Sequence, residues 1–308
     1  MLRSILVPLD GSDFSERSLP LAGEVARATG AALHLAHVHV PHEPEHLIGS
    51  TSFQFEGIDF GEYEERQLRS EKDYLASVVK RFDGNGAEID SAILEGGPVV
   101  DELAEYARQV DSDMIFITSH AYAGIKRTWL GSTMEGMLRR TGVPMLVVHP
   151  PREPFDSGPI TRFRHILVPL DGSSLAERVL GPAADLAEAT GARLTLLRVL
   201  NEPALLGPRI QPVMPDRLEA ERTDAMDYLG GVADGLRADG LEVSVLARPG
   251  SSAPRTIAKV AETEGVDLIA MATHGYGGLR RTLVGSVADT LLHTVALPML
   301  LLRPPFEA

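Results

Sequence analysis

The 308-residue chain has no cysteine, which excludes disulfides, thiol nucleophiles and zinc–thiolate centres. It also leaves no positive sign of secretion into an oxidising compartment. Basic residues are in deficit: 29 Lys and Arg stand against 43 Asp and Glu, for a net charge of −14. Such a chain has no broad basic face for phosphate backbones and no attraction to an anionic membrane surface. Neither nucleic acid nor membrane is therefore an expected partner. The acidity reads as that of a soluble protein whose copies repel one another. No stretch reaches the roughly 20 apolar residues of a membrane helix. The opening apolar run, Ile5-Leu6-Val7-Pro8-Leu9, is too short for a signal-peptide core and carries no cleavage-site pattern. The cytoplasm is the expected compartment.

What the chain does have is itself, twice. Ile5-Leu6-Val7-Pro8-Leu9-Asp10-Gly11-Ser12 recurs as Ile166-Leu167-Val168-Pro169-Leu170-Asp171-Gly172-Ser173. At the same offset Ala28-Thr29-Gly30-Ala31 meets Ala189-Thr190-Gly191-Ala192. Later Leu130-Gly131-Ser132 is echoed by Val284-Gly285-Ser286, and Val143-Pro144-Met145-Leu146 by Leu297-Pro298-Met299-Leu300. The period of about 150 residues is far too long for a solenoid, so these are two whole domains. The expected division is residues 1–150, a proline-rich linker over 151–162, and residues 163–305. The linker follows from four prolines and a glycine between Pro150 and Pro159, which suit neither a helix nor a central strand.

Each half alternates strand and helix. In the first, short apolar runs at Ser4–Leu9, Ala32–Val40, Ala87–Leu94, Met114–Thr118 and Met145–His149 read as buried strands. Helical spacing covers Ser15–Thr29, where Gly30 is a stop signal, then Glu62–Arg81, Val99–Gln109 and Gly131–Arg140. Strands of the second half are expected near 165–170, 193–200, 241–247, 267–272 and 298–303. The pattern implies α/β architecture, a parallel sheet covered on both faces, with ligands at the carboxyl ends of the strands.

Three features fall at those ends. Asp10 and Asp171 follow the first strand of each half; such a carboxylate either accepts hydrogen bonds from a ligand or serves as a turn and helix-cap residue. After the fourth strand of the second half, Met271-Ala272-Thr273-His274-Gly275-Tyr276-Gly277-Gly278 leads on to Gly285-Ser286 at a helix start. Glycines let backbone approach a phosphate, and free N–H groups at a helix start favour an anion. The alternative is a structural loop with a serine cap. A basic pair stands in the same loop, Arg280-Arg281, mirrored by Lys126-Arg127. It suits phosphate or, equally, a solvated face.

Together these motifs resemble the universal stress protein family, in particular its ATP-binding branch. That branch carries Gly-x2-Gly-x9-Gly-(Ser/Thr) after the fourth strand, and the resemblance covers nearly the whole chain, twice. It implies two tandem five-stranded parallel sheets with strand order 3-2-1-4-5 and pairing of the domains through their fifth strands; further association into a homodimer stays open. It also implies an adenine nucleotide, ATP, ADP or AMP, with magnesium as an accompanying ion, bound by a sensor or regulatory module.

Position by position, Ala272 replaces the first motif glycine of the second half, while Gly275, Gly285 and Ser286 match. Pro169, Asp171 and Val199 would line the adenosine side, and Met271, His274, Val287 and Ala288 would complete that site. In the first half Thr118 and Ala121 replace two glycines, while Gly131 and Ser132 remain. Its other counterparts are Pro8, Asp10, Val38, Ile117, His120 and Thr133. The fuller motif makes the second half the expected stronger site.

No nucleophile–base set surrounds either histidine, so no dedicated catalysis is expected. Slow ATP hydrolysis and a non-binding scaffold are the alternatives. Neither a Walker loop nor the Ser-Gly-Gly-x-Asp-Ser loop of adenylate-forming relatives is present. His37 and His39 share a strand face, but no ligand spacing points to a metal. Trp129, Met134 and Met137 read as packing residues, and Pro41–Phe60 as a segment over the sheet edge.

Overall fold

The structure, a computed structural model, describes residues 1–41, 60–82, 86–119, 131–149, 162–201, 215–274 and 284–303. The first half runs β1 (Ser4–Pro8), α1 (Leu19–Thr29), β2 (Ala32–His39), α2 (Phe60–Phe82), β3 (Ile89–Glu95), α3 (Val99–Gln109), β4 (Met114–Thr118), α4 (Ser132–Arg140) and β5 (Met145–Val148). The second runs β6 (His165–Pro169), α5 (Ser174–Glu177), α6 (Leu180–Thr190), β7 (Arg193–Asn201), α7 (Pro215–Ala238), β8 (Val243–Gly250), α8 (Ala253–Thr263), β9 (Leu268–Ala272), α9 (Ser286–Thr294) and β10 (Met299–Leu302). The proline-rich stretch 150–161, Trp129 and the segment 42–59 lie outside the described residues.

All ten strands form one sheet in the order β3-β2-β1-β4-β5-β10-β9-β6-β7-β8. Each half is the expected 3-2-1-4-5 parallel sheet. The two join where β5 and β10 pair antiparallel, Met145 facing Leu301, Leu146 facing Leu300 and Val147 facing Met299. Strand residues alternate between the two faces: Ile5 and Val7 enter one apolar layer and Leu6 the other. The first layer lies under α1, α2, α6 and α7, the second under α3, α4, α8 and α9, and each draws residues from both halves. Met134 and Met137 are core residues of the second layer. No helix among the described residues is long and apolar enough to cross a membrane.

The helix expected over Ser15–Thr29 is divided. A 3-10 turn occupies Ser15–Ser18 and the α-helix restarts at Leu19, with Pro20 in its first turn. Proline has no N–H and clashes with the preceding turn, so the start of a helix is where it fits. Gly30 then closes α1 in the left-handed conformation, φ 73°.

One device fixes β1 against β4 in both halves. The Asp113 carboxylate accepts from the backbone N–H groups of Arg3 (2.7 Å) and Ser4 (3.1 Å). Asp267 does the same for Arg164 (2.8 Å) and His165 (3.1 Å). Asp113→Ala leaves both donors without this acceptor and is expected to cost about 1–3 kcal/mol in urea denaturation. An unchanged midpoint would show that water replaces the carboxylate at no cost.

Candidate functional site

The chain leaves β1 toward β2 and β3, then crosses back to β4 on the other side of β1. The carboxyl ends of β1 and β4 therefore diverge into a crevice. In the first half this crevice is a cleft of about 520 Å³, within the size range of small-molecule sites, roughly 300–1,000 Å³. Pro8 and Asp10 from the end of β1, Val38 from β2, and Ile117 and Thr118 from β4 line it. Gly131, Ser132 and Thr133 at the start of α4 close it. The structure thus brings together eight of the positions singled out in the sequence. His120, Ala121 and the Lys126-Arg127 pair lie outside the described residues.

Asp10 combines both roles open to it. It accepts from the Ser12 N–H (2.9 Å) and from the Ser12 hydroxyl, which makes it a turn residue. Burial alone would push its carboxyl up, but the hydrogen bonds from Ser12 and Ser15 outweigh burial and hold it below the ordinary aspartate value. The cleft therefore presents an ionised, acceptor-only group. Helix α4 opens at Gly131 with no side-chain cap among the described residues, and its first residues line the cleft, so the N–H groups of its first turn are available to an anion there.

The second half repeats the layout among its described residues. Asp171 accepts from the Ser173 N–H (3.0 Å) and hydroxyl (2.6 Å). Pro169 ends β6 and Val199 lies in β7. Met271 and Ala272 are buried at the end of β9, and His274 is only 3% exposed with Nδ1 3.1 Å from Thr273 Oγ1. Ser286, Val287 and Ala288 begin α9, and the N–H of Gly285 before them donates to the Thr273 carbonyl at 2.7 Å. A β-carbon on residue 285 would stand 2.6 Å from that same oxygen. The matched glycine of the first half has a different reason to be glycine: among the described residues nothing lies within 4 Å of a Gly131 β-carbon, but its φ is +80°. Gly275 and Arg280-Arg281 lie outside the described residues. A larger groove of about 930 Å³ runs between α8 and α9, past Ala258, Val266 and Leu297, on the outer helical layer rather than at the strand ends.

One group in the first cleft was not foreseen. Glu71 and Gln67 of α2 line it beside His37. His37 Nδ1 lies 2.9 Å from the Leu9 carbonyl, and its Nε2 faces Glu71 at 3.6 Å. Behind it, His39 places Nδ1 2.7 Å from Glu71 and Nε2 2.6 Å from Glu64. Gln67 donates to the other oxygen of Glu71 at 3.1 Å. Burial opposes charge on His39, but the two carboxylates outweigh it and raise the imidazole above its ordinary value. Among the described residues no group of three or more His, Asp or Glu is arranged to hold a metal ion. The corresponding positions of the second half are Arg198, Leu200, Leu218 and Ala225; the last three pack in a small apolar cluster.

The Universal stress protein family model matches residues 1–149 and 162–303. A universal stress protein of Mycobacterium tuberculosis is 25% identical over 318 aligned positions, covering 98% of this chain and 95% of that protein. Another from the same species is 27% identical over 195 positions, which cover 63% of this chain and 62% of that relative, so the likeness spans less than two thirds of its length. The crystal structure of a universal stress protein from Archaeoglobus fulgidus superposes with a TM-score of 0.70 at 20% identity, covering 97% of this chain and 98% of that one, a likeness of fold.

Proposed function

Because the chain belongs to the universal stress protein family in both of its halves, we propose that it is a regulatory module whose switch is a bound adenine nucleotide, ATP, ADP or AMP. The observation that carries this reading is the first-half cleft, where eight motif positions converge from β1, β2, β4 and α4. Ionised Asp10 suits hydroxyl donors such as those of a ribose. The α4 start and Ser132 suit phosphate oxygens, and apolar Val38 and Ile117 suit the base. The second half keeps more of the glycine motif, so a second nucleotide there is part of the proposal, with magnesium as an accompanying ion at either site.

Calorimetric titration with ATP and with AMP, with and without magnesium, is expected to give up to two nucleotides per chain. Asp10→Ala is expected to weaken first-half binding by about tenfold or more, since a hydrogen bond to a charged acceptor is worth about 1.5–3 kcal/mol. Folded, nucleotide-free protein that binds neither compound would overturn the reading. It would favour a scaffold in which the Gly285 N–H and the loop before it serve packing alone.

A further inference from the structure

We propose that the first-half cleft binds its ligand in a proton-linked way. With a proton on each nitrogen of His39, α2 is clamped to β2 through Glu64 and Glu71; once the ring loses one, the charge of Glu71 in the cleft wall is no longer balanced and repels a phosphate-bearing ligand. The inference rests on the nucleotide reading of that cleft and adds its regulation.

The geometry fixes the protonation state. The two nitrogens of His39 lie 2.6 and 2.7 Å from oxygens of two different glutamates. Ionised carboxylates only accept, so both nitrogens must donate, and that is the imidazolium form. A neutral ring satisfies one glutamate and turns a lone pair toward the other. The ring is 4% exposed, so water does not readily make up the loss. Glu71 transmits the change because it lines the cleft and also holds His39.

The remaining groups around the pair leave little to take over the role of the imidazolium. From α2 come Gln67, which donates to Glu71, and Tyr74, whose ring lies 6.3 Å from that of His37. From β3, Glu95 pairs in register with His39. From the β1 side come Asp10 and Glu16, and Arg81 is already bound to Glu16 at 2.7 Å. His37 faces Glu71 only at 3.6 Å. The second half is the internal control. It builds the same strand and helix with Leu200, Leu218 and Ala225 in place of His39, Glu64 and Glu71, so the fold does not require the cluster. Where the first half has titratable His37, the second has permanently charged Arg198, whose Nη1 lies under the turn at Gly172.

The direction follows from linkage. A histidine whose folded pKa is raised stabilises the folded state fully below its unfolded value of about 6.5 and loses that contribution as pH rises through the raised value. Ligand affinity and the anchoring of α2 should fall together over that interval.

The experiment follows the Val38 and Thr133 amide resonances of the full chain during ATP titration at several pH values from 6 to 9, with hydrogen-exchange protection factors of α2 in the nucleotide-free protein. The wild type is expected to lose about tenfold in first-half affinity, the consequence of a coupling near one pKa unit, and to lose α2 protection over the same range. His39→Gln, and the triple variant His39→Leu, Glu64→Leu, Glu71→Ala that copies the second half, are expected to show neither slope, whatever their absolute affinity. A wild-type affinity flat with pH, or an equal slope in the variants from the phosphates of ATP itself, would overturn the proposal. If ATP binds at no pH, the nucleotide reading fails by itself; α2 protection then decides the clamp, which falls if protection does not follow pH in the wild type alone.

Discussion

Replacing Gly285 by valine is expected to destabilise the chain by about 3 kcal/mol and to abolish ligand binding in the second half. Its first side-chain carbon would meet the Thr273 carbonyl oxygen at 2.6 Å, and the Gly285 N–H bonds that same oxygen at 2.7 Å. The obstacle is backbone, so no side chain can swing away. Either the end of β9 or the start of α9 must move, which adds overpacking of about 1–3 kcal/mol to a lost hydrogen bond of about 1 kcal/mol. Gly131→Val is the matched comparison. Among the described residues its β-carbon would touch nothing within 4 Å, and the strain of φ +80° opposes it, about 1–3 kcal/mol. Urea denaturation of the two variants should rank them in that order. A Gly285→Val midpoint close to wild type, with nucleotide stoichiometry unchanged, would remove the close approach as the reason for glycine.

Leu300→Asp is expected to have a larger effect still and to unfold both halves together. Leu300 faces Leu146 across the antiparallel pair β5–β10, the one such pair among the described residues, and both are 0% exposed. The substitution removes a buried leucine, worth about 1.5–3 kcal/mol, and places a carboxylate where no cation stands opposite. Uncompensated buried charge costs several kcal/mol more. Against a typical stability of about 5–15 kcal/mol, that leaves little folded protein at room temperature. Leu300→Ala, expected to cost about 2–5 kcal/mol, keeps the comparison measurable. Thermal melting followed by circular dichroism should show one transition shifted as a whole, because both apolar layers cross the β5–β10 line. Two separated transitions in the alanine variant would mean that the halves stand independently.

The repeat and the alternation of strands and helices were legible because they depend on local pattern, whereas the strand order came with the family resemblance. A parallel strand buried on both faces reads as an unbroken apolar run, and the duplicated Ile-Leu-Val-Pro-Leu-Asp-Gly-Ser marks the same element twice. The break between the 3-10 turn and α1 was missed even though Pro20 signals it, because apolar spacing continues across the break. The His39 cluster was not legible. Its glutamates lie 25 and 32 residues away on a helix whose phase against β2 is set by packing alone. Nor does sequence distinguish Gly131 from Gly285; one is required by its backbone angle and the other by a neighbouring carbonyl.

Joining β5 to β10 within one chain has a consequence for what each half is free to become. When two identical chains pair through the same strand, every substitution appears twice, and residues facing across the axis must suit each other in both directions. Here Met145 faces Leu301 while Val147 faces Met299, a mismatch that self-pairing would forbid. The same release from symmetry reaches the sites: an imidazole at position 37 and a guanidinium at 198 coexist in one molecule. Within one chain each half is thus free to keep its own set of side chains at the strand ends, which two identical chains could not do.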